Sequence, residues 1–504
     1  MSRATLAALA LFALGLGGSS WVSDRVLDRF PNSADEHVYR FQAETLAKGR
    51  LWNPPPQPPR FFSFRHIAER DGKWVGRFPP GWPGLLATAE AVHVPAWLVS
   101  PLLGALSLGL LFLLARRLHG PGVALVTTAG VLGSAFFVFN AASYFSHVPT
   151  LLFCLLFHLF GLRHLERGAV APAVLAGLAI GCAFLIRPFT AVLVSAPLAV
   201  AFLATVPWRQ YGRGLWFVAG ALPGVLLYLH YNAAITGDAL LPVTVWADPR
   251  EGIGFIGGHT LARGLRFTAL HLRDLALWAS PAVLGLIGPA LWIAARRRDV
   301  RTLVAGAVFV LVVVGHVFYR VFGGNQYGPR FYLEAYPFAV LAVAAIAFGR
   351  EAGAPPRAWR GLFAAGLAFG LVALPLHAGR EGRVVEERMD VFRLVEREQL
   401  RRAIVLLASG TGVLRPMPIR DLTRNDVDLV NDVLYGQDLG PQPAQGLAAA
   451  FPDRRLYRYT RAPGEVEGRL RAVRPLRGAR AAPLLDVAEL TQLPDALGIL
   501  GGRR

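Results

Sequence analysis

Asn32-Ser33-Ala34-Asp35-Glu36-His37-Val38-Tyr39-Arg40 lies shortly after an apolar run at residues 4–22, and the chain is best read outward from it. Ser33 with Glu36 three residues on is a capping box, so a helix starts at Ser33. Ala34, Val38, Phe41 and Thr45 fall on one face of that helix, which predicts a helix lying at a membrane surface. Asp35 sits in the first turn, where the helix dipole favours a carboxylate. Asp35 and Glu36 are therefore the candidate catalytic acids. Both can instead serve only the helix start, which accounts for Glu36 better than for Asp35. An aspartate at the bilayer edge can deprotonate an acceptor hydroxyl or amine, or help hold a divalent cation, the one cofactor left open.

Eleven apolar runs surround this stretch, at about 4–22, 94–115, 121–142, 147–162, 169–186, 189–207, 214–234, 275–295, 302–322, 331–349 and 360–378. Each is near the ~20 residues needed to cross a bilayer. The chain is 54% hydrophobic and 17% charged, against about 25% charge in soluble proteins, so most of it belongs in a membrane. The fold class is an all-α polytopic membrane protein of about eleven transmembrane helices. The first run can alternatively be a cleaved signal peptide. The net charge of +19 is almost all arginine, lysine occurring only at Lys48 and Lys73. The arginines flank apolar helices instead of forming a patch, so no nucleic-acid partner is expected. Cys154 and Cys182 lie inside apolar runs and read as core residues, with no disulfide framework.

With the N-terminus inside, the cytoplasmic ends carry Arg116-Arg117, Arg163 with Arg167, Arg209 with Arg213, Arg296-Arg297-Arg298 with Arg301, and Arg350 with Arg357 and Arg360. Every short inside loop is then positive, as the positive-inside rule asks. Residues 23–93, 235–274 and 323–330 become outer loops, the place where membrane enzymes put chemistry. Residues 1–378 read as the transmembrane domain, with the first outer loop, 23–93, catalytic. Residues 379–504 read as a small α/β extracytoplasmic domain. It opens on an amphipathic helix at 384–402, with Val385, Met389, Phe392 and Val395 on one face, and has strands at Ala403–Leu407 and Arg455–Tyr459.

Arg77-Phe78-Pro79-Pro80-Gly81-Trp82-Pro83 sets a stiff re-entry turn, with a helix starting near Pro83 and Trp82 suited to the interface belt. Asp35-Glu36, this turn, Leu185-Ile186-Arg187-Pro188, Tyr231-Asn232 with Thr236-Gly237, and Gly328-Pro329-Arg330-Phe331-Tyr332 occur in that order. Together they resemble the bacterial GT-C glycosyltransferases, a group that includes protein O-mannosyltransferases and lipid A aminoarabinose transferases. The resemblance covers roughly residues 1–380. It implies a lipid-phosphate-linked sugar donor, a first-loop aspartate acting as base, and a site at the outer surface of the inner (plasma) membrane. The sequence departs from the pattern at Ser146-His147-Val148-Pro149, where many relatives carry an acid ahead of the proline. Either His147 replaces that acid or the role is absent.

A donor of this class needs groups that stabilise the leaving phosphate, and arginine supplies a planar fork of donors that stays charged. Arg187 and Arg330 both lie at outer helix ends, where the positive-inside rule does not call for them. They are the first candidates for the donor phosphate, with Lys73 in the first loop a third and Arg65 and Arg77 beside it. Either of the first two can alternatively be an arginine that snorkels to a lipid headgroup. His147 and Tyr332 are candidates for the cavity or acceptor, and Glu334 is placed to pair with Arg330 one turn away. The expected partners are the lipid-linked donor, a glycan, lipid or protein acceptor, and membrane lipids. A transporter or lipid-linked sugar flippase is the competing reading, but it needs polar groups at mid-membrane. A polymerase or ligase of surface glycans shares the same donor.

Overall fold

A computed structural model describes residues 2–58, 61–322, 326–349, 357–407, 424–461, 465 and 467–473. Helix α1 (Arg3–Trp21) leads to α2 (Ala34–Ala47), a hairpin of β1 (Ile67–Arg70) and β2 (Lys73–Gly76), and α3 (Gly81–Ala91). The bundle continues through α4 (Ala96–His119), α5 (Pro121–Leu132), α6 (Ala135–Ala142), α7 (His147–Arg167), α8 (Val170–Ile186), α9 (Pro188–Thr205) and α10 (Leu215–Thr236). After the short α11 (Val243–Ala247) come α12 (Leu261–Trp278), α13 (Pro281–Arg296), α14 (Val300–Val317), α15 (Tyr336–Phe348) and α16 (Arg357–Arg397). Strands β3 (Ala403–Leu407) and β4 (Val433–Gln437), helix α17 (Pro441–Ala450), and strands β5 (Arg455–Thr460) and β6 (Arg469–Ala472) close the described chain.

This is a multi-pass membrane protein. Among the described residues seven helices are long and apolar enough to cross a membrane, or nine if each of two bent pairs is one span. Large apolar side chains such as Leu9, Val200, Leu226 and Leu376 stay exposed on them, as lipid-facing residues do. Helix α15 is the opposite case. It is apolar all round, and Tyr336 to Ala347 are all buried at the centre of the bundle, the usual fate of such a helix.

The eleven apolar runs of the sequence are not eleven uniform spans. Run 121–142 is split between α5 and α6, bent by 67°. Run 275–295 breaks at Ala279, where α12 meets α13 at 117°. Runs 169–186 and 331–349 become α8 and α15, apolar helices shorter than the rest. Hydropathy counts apolar residues but does not register a change of direction. A Ser or Gly N-cap followed by Pro can end one helix and start another without lowering the average, as at Ser280-Pro281.

The helix expected at 384–402 is not separate. It is the outer end of α16, a 41-residue helix about 60 Å long that runs from the bundle into the layer above it. Val385, Met389, Phe392 and Val395 are buried there as their spacing predicts. Strands expected at Ala403–Leu407 and near Arg455 form as β3 and β5, while β4 and β6 escaped the sequence reading. The sheet order is β4-β3-β5-β6, the first three parallel and β6 antiparallel to β5.

This sheet packs on the first loop. Ile404, Leu406, Leu434 and Leu456 share one apolar cluster with Phe41 of α2 and with Phe61, Phe62 and Trp74. At its edge Lys48 reaches Asp426 (2.9 Å) and Asp428 (2.8 Å), and Arg50 reaches Asp428 (2.8 Å). Helix α2 is thus buried on both sides, between the bundle and the sheet, instead of lying free on a surface. The tail beyond residue 473, part of the segment assigned to the C-terminal domain, lies outside the described residues, as do Gly323, Gly324, Asn325 and Arg350.

Candidate active site

Ser33 caps α2, its Oγ accepting the Glu36 amide at 3.2 Å, as the capping box predicts. The reciprocal half of the box is altered. Glu36 is fully buried and accepts the Asn32 amide (3.0 Å) and the Tyr144 amide (2.9 Å), tying the start of α2 to the turn between α6 and α7. Burial pushes its carboxyl up to about 7 against the pull of those two amides. Asn32 in turn donates to the Tyr327 hydroxyl (3.2 Å), and its carbonyl accepts from Gln326 (2.7 Å) and from Arg388. Glu36 is therefore an anchor of the backbone and is not among the residues that line the cavity with Asp35.

That anchoring brings Asp35 to Arg330 although they are 295 residues apart. A guanidinium nitrogen of Arg330 pairs with Asp35 Oδ2. His66 Nε2 lies 3.2 Å from the other oxygen, Oδ1. Burial alone would raise the Asp35 carboxyl, but Arg330, His66 and Arg77 outweigh it and hold the group far below the usual carboxylate range. Arg330 is stacked over the Phe145 ring, 4.1 Å from its centroid, which fixes the plane of its fork.

Arg187 is held from the other side. Gly81 opens α3 against the end of α8, where a Cβ would meet the Leu185 carbonyl at 2.8 Å and Ile186 at 2.7 Å. The turn before α3 and the Leu-Ile-Arg-Pro segment therefore touch because residue 81 has no side chain. Trp82 is buried, donating to the Tyr144 carbonyl at 2.7 Å, so it is not an interface residue. Pro188 starts α9 and leaves Arg187 in non-helical backbone between two helices. Its Nε is 3.3 Å from Glu334, and its Nη1 donates to Ser146 Oγ (3.2 Å), which also bonds the Tyr39 hydroxyl (3.1 Å).

Asp35, His66, Arg77, Arg187, Arg330 and Tyr319 line one cavity of about 1060 Å³. It opens at the bundle end that carries α2, the start of α7 and the end of α14. The arginine-rich helix ends lie at the other end, where Arg117 pairs with Glu166 and Arg301 reaches the Leu118 carbonyl.

Four sequence candidates are placed elsewhere. Lys73 Nζ bonds the carbonyls of Ala234 and Ile235 and sits 4.7 Å over the Trp52 ring, outside the cavity lining. Tyr332 is fully buried beneath the His271 and His316 rings. His147 is buried on Glu334 (3.1 Å), so the carboxylate near this position comes from a segment 187 residues further along the chain. Glu334 accordingly pairs with Arg187 and His147 and not with Arg330. A helix one turn away offered Arg330 as partner, but the intervening residues form a 3₁₀ turn and an irregular step that separates the two. Glu36 is the fourth.

His66 was missed by sequence reading. A lone histidine 31 residues from Asp35 carries no signal by spacing. Its positive φ of 73° and the Arg77 amide on its carbonyl (3.1 Å) are properties of the folded loop. Arg77, seen only as a secondary candidate, is 10% exposed and paired with Glu251 at 3.0 Å.

Among the described residues no group of three or more His, Cys, Asp and Glu side chains is placed to hold a metal ion. Asp35 is paired instead with the Arg330 guanidinium on one oxygen and with His66 on the other.

In comparison with known proteins, residues 85–231 match the family model described as dolichyl-phosphate-mannose-protein mannosyltransferase. Among solved structures, ArnT from Cupriavidus metallidurans bound to undecaprenyl phosphate superposes with a TM-score of 0.56 at 15% identity, over 90% of this chain and 93% of that one. The apo form of the same protein gives a TM-score of 0.54 at 16% identity, over 86% of each chain. The fold is that of the GT-C glycosyltransferases. A search of curated proteins finds no significant match. The family-model match runs from α3 to α10 and includes Arg187, whereas Asp35, His66 and Arg330 lie outside it.

Proposed function

We propose that this protein is a membrane glycosyltransferase that moves a sugar from a polyprenyl-phosphate carrier to an acceptor at the outer face of a bacterial inner (plasma) membrane. One observation carries the reading: a carboxylate and two guanidiniums on three distant segments, Asp35, Arg330 and Arg187, line a single cavity. A phosphodiester needs the guanidiniums, and an acceptor hydroxyl or amine needs the basic pole. The cavity lies opposite the arginine-rich helix ends, which the positive-inside rule assigns to the cytoplasm. The solved relative of the same fold binds undecaprenyl phosphate, a lipid of the proposed donor class.

In this mechanism the donor enters between the helices with its phosphate on Arg330 and Arg187. The acceptor proton is taken up at the Asp35–His66 pole. The acceptor atom bonds the anomeric carbon as the carbon–oxygen bond to phosphate breaks, and the electron pair leaves on the phosphate. A single displacement inverts the anomeric configuration. The sheet over the first loop is extracytoplasmic in this scheme and covers the acceptor side.

The test uses purified protein in detergent with undecaprenyl-phosphate hexoses and pentoses. Sugar release or transfer without any gradient is expected for the wild type, with Asp35→Asn reduced by about 100-fold or more. Turnover unaffected by Asp35→Asn, or none with any donor, would overturn the proposal and leave transport or flipping as the reading.

A further inference from the structure

Both oxygens of Asp35 are already engaged, Oδ2 by Arg330 and Oδ1 by His66 Nε2 at 3.2 Å. Each oxygen therefore already accepts a strong hydrogen bond, which lowers the basicity of the lone pairs left to an acceptor. Because Asp35 is held ionised, it can only accept hydrogen bonds. The proton of the His66 ring must then sit on Nε2, which leaves Nδ1 as a bare lone pair. Among the described residues Nδ1 has no hydrogen-bond partner, and the ring lines the cavity.

We infer that His66 is the general base and Asp35 its positioning residue, an inference that rests on the glycosyltransferase reading above. The acceptor proton passes to His66 Nδ1 while Nε2–H stays on Asp35. The acceptor atom bonds the anomeric carbon, and the phosphate leaves with the electron pair of the broken bond. The resulting imidazolium is stabilised by Asp35 and returns its proton to water. Arg330 sits on the other oxygen of the same carboxylate, so the proton pole and the phosphate pole are held on opposite sides of one group. When the donor phosphate draws on Arg330, less of that positive charge opposes the forming imidazolium.

The groups facing His66 are Asp35 from α2, Arg77 with Phe78 from the segment after β2, and Arg65 of its own loop. Burial and Arg77 push the imidazole down to about 4, against the pull of Asp35, so it is unprotonated at neutral pH, as a base must be.

The experiment compares wild type, His66→Ala and His66→Gln with undecaprenyl-phosphate hexose or pentose as donor and water as acceptor. Binding of undecaprenyl phosphate is measured in parallel. Both variants are expected to bind the lipid phosphate within about 2-fold of wild type, which also shows that they fold, and to lose about 100-fold or more in turnover. Added imidazole is expected to restore turnover to His66→Ala but not to His66→Gln, whose side chain fills the space. Turnover within about 3-fold of wild type, loss without imidazole rescue, or loss of lipid-phosphate binding would each overturn the assignment. The second outcome would leave His66 as a support for Asp35, and the third would place it on the phosphate. A wild type that turns over no donor would instead defeat the glycosyltransferase reading itself.

Discussion

Arg330→Lys is the sharpest probe of the phosphate pole. Arg330 has two tasks in the cavity: it pairs with Asp35, and its remaining N–H groups face the space proposed for the donor. Its plane is set by stacking 4.1 Å over Phe145. A lysine keeps the charge but presents a single nitrogen, and the side chain is only 10% exposed, so water is a poor substitute for the lost donors. A hydrogen bond to a charged group contributes about 1.5–3 kcal/mol, and losing one weakens affinity by roughly 10- to 150-fold. The assay is titration of undecaprenyl phosphate into wild type and variant in detergent or nanodiscs, with thermal unfolding as the check on folding. The lysine still satisfies Asp35 by charge, so unfolding should shift little. Equal affinity for the lipid phosphate within about 2-fold, with both proteins folded, would refute the idea that Arg330 is a donor ligand.

Glu334→Gln leaves the shape of a fully buried side chain but replaces the carboxyl that Arg187 and His147 both contact. Breaking one partner of a buried pair costs about 3 kcal/mol, so both the unfolding temperature and donor affinity should fall. No change in either would show that Arg187 does not depend on it. Gly81→Ala places a methyl against the Leu185 backbone at 2.8 Å, which cannot give way as a flexible side chain would. Overpacking of about 1–3 kcal/mol is expected in thermal unfolding, together with a raised donor KM as Arg187 shifts. Wild-type values for both would mean that α3 and α8 tolerate separation.

The membrane character, the helix start at Ser33 and the burial of Val385, Met389, Phe392 and Val395 were legible because they follow from local composition and a 3.6-residue period. Asp35, Arg187 and Arg330 were legible for a different reason. Each breaks a local rule: an acid not needed by its capping box, and two arginines at helix ends where the charge rule does not ask for them. A residue unexplained by its own segment is a candidate for work done with another segment.

What the sequence alone determined, then, was which segments enter the membrane and which side chains were left unexplained by their neighbours, since both depend on residues a few positions apart. The tertiary structure decided which of those side chains meet. Glu36 and Lys73 proved to be spent on backbone amides and carbonyls, Glu334 on Arg187 and His147, and His66 on Asp35. Hydrogen bonds reach about 3 Å and do not depend on separation along the chain. Only closing the bundle, through contacts such as those of Asn32 to Gln326 and Tyr327, could bring residues 35, 66 and 330 within that distance.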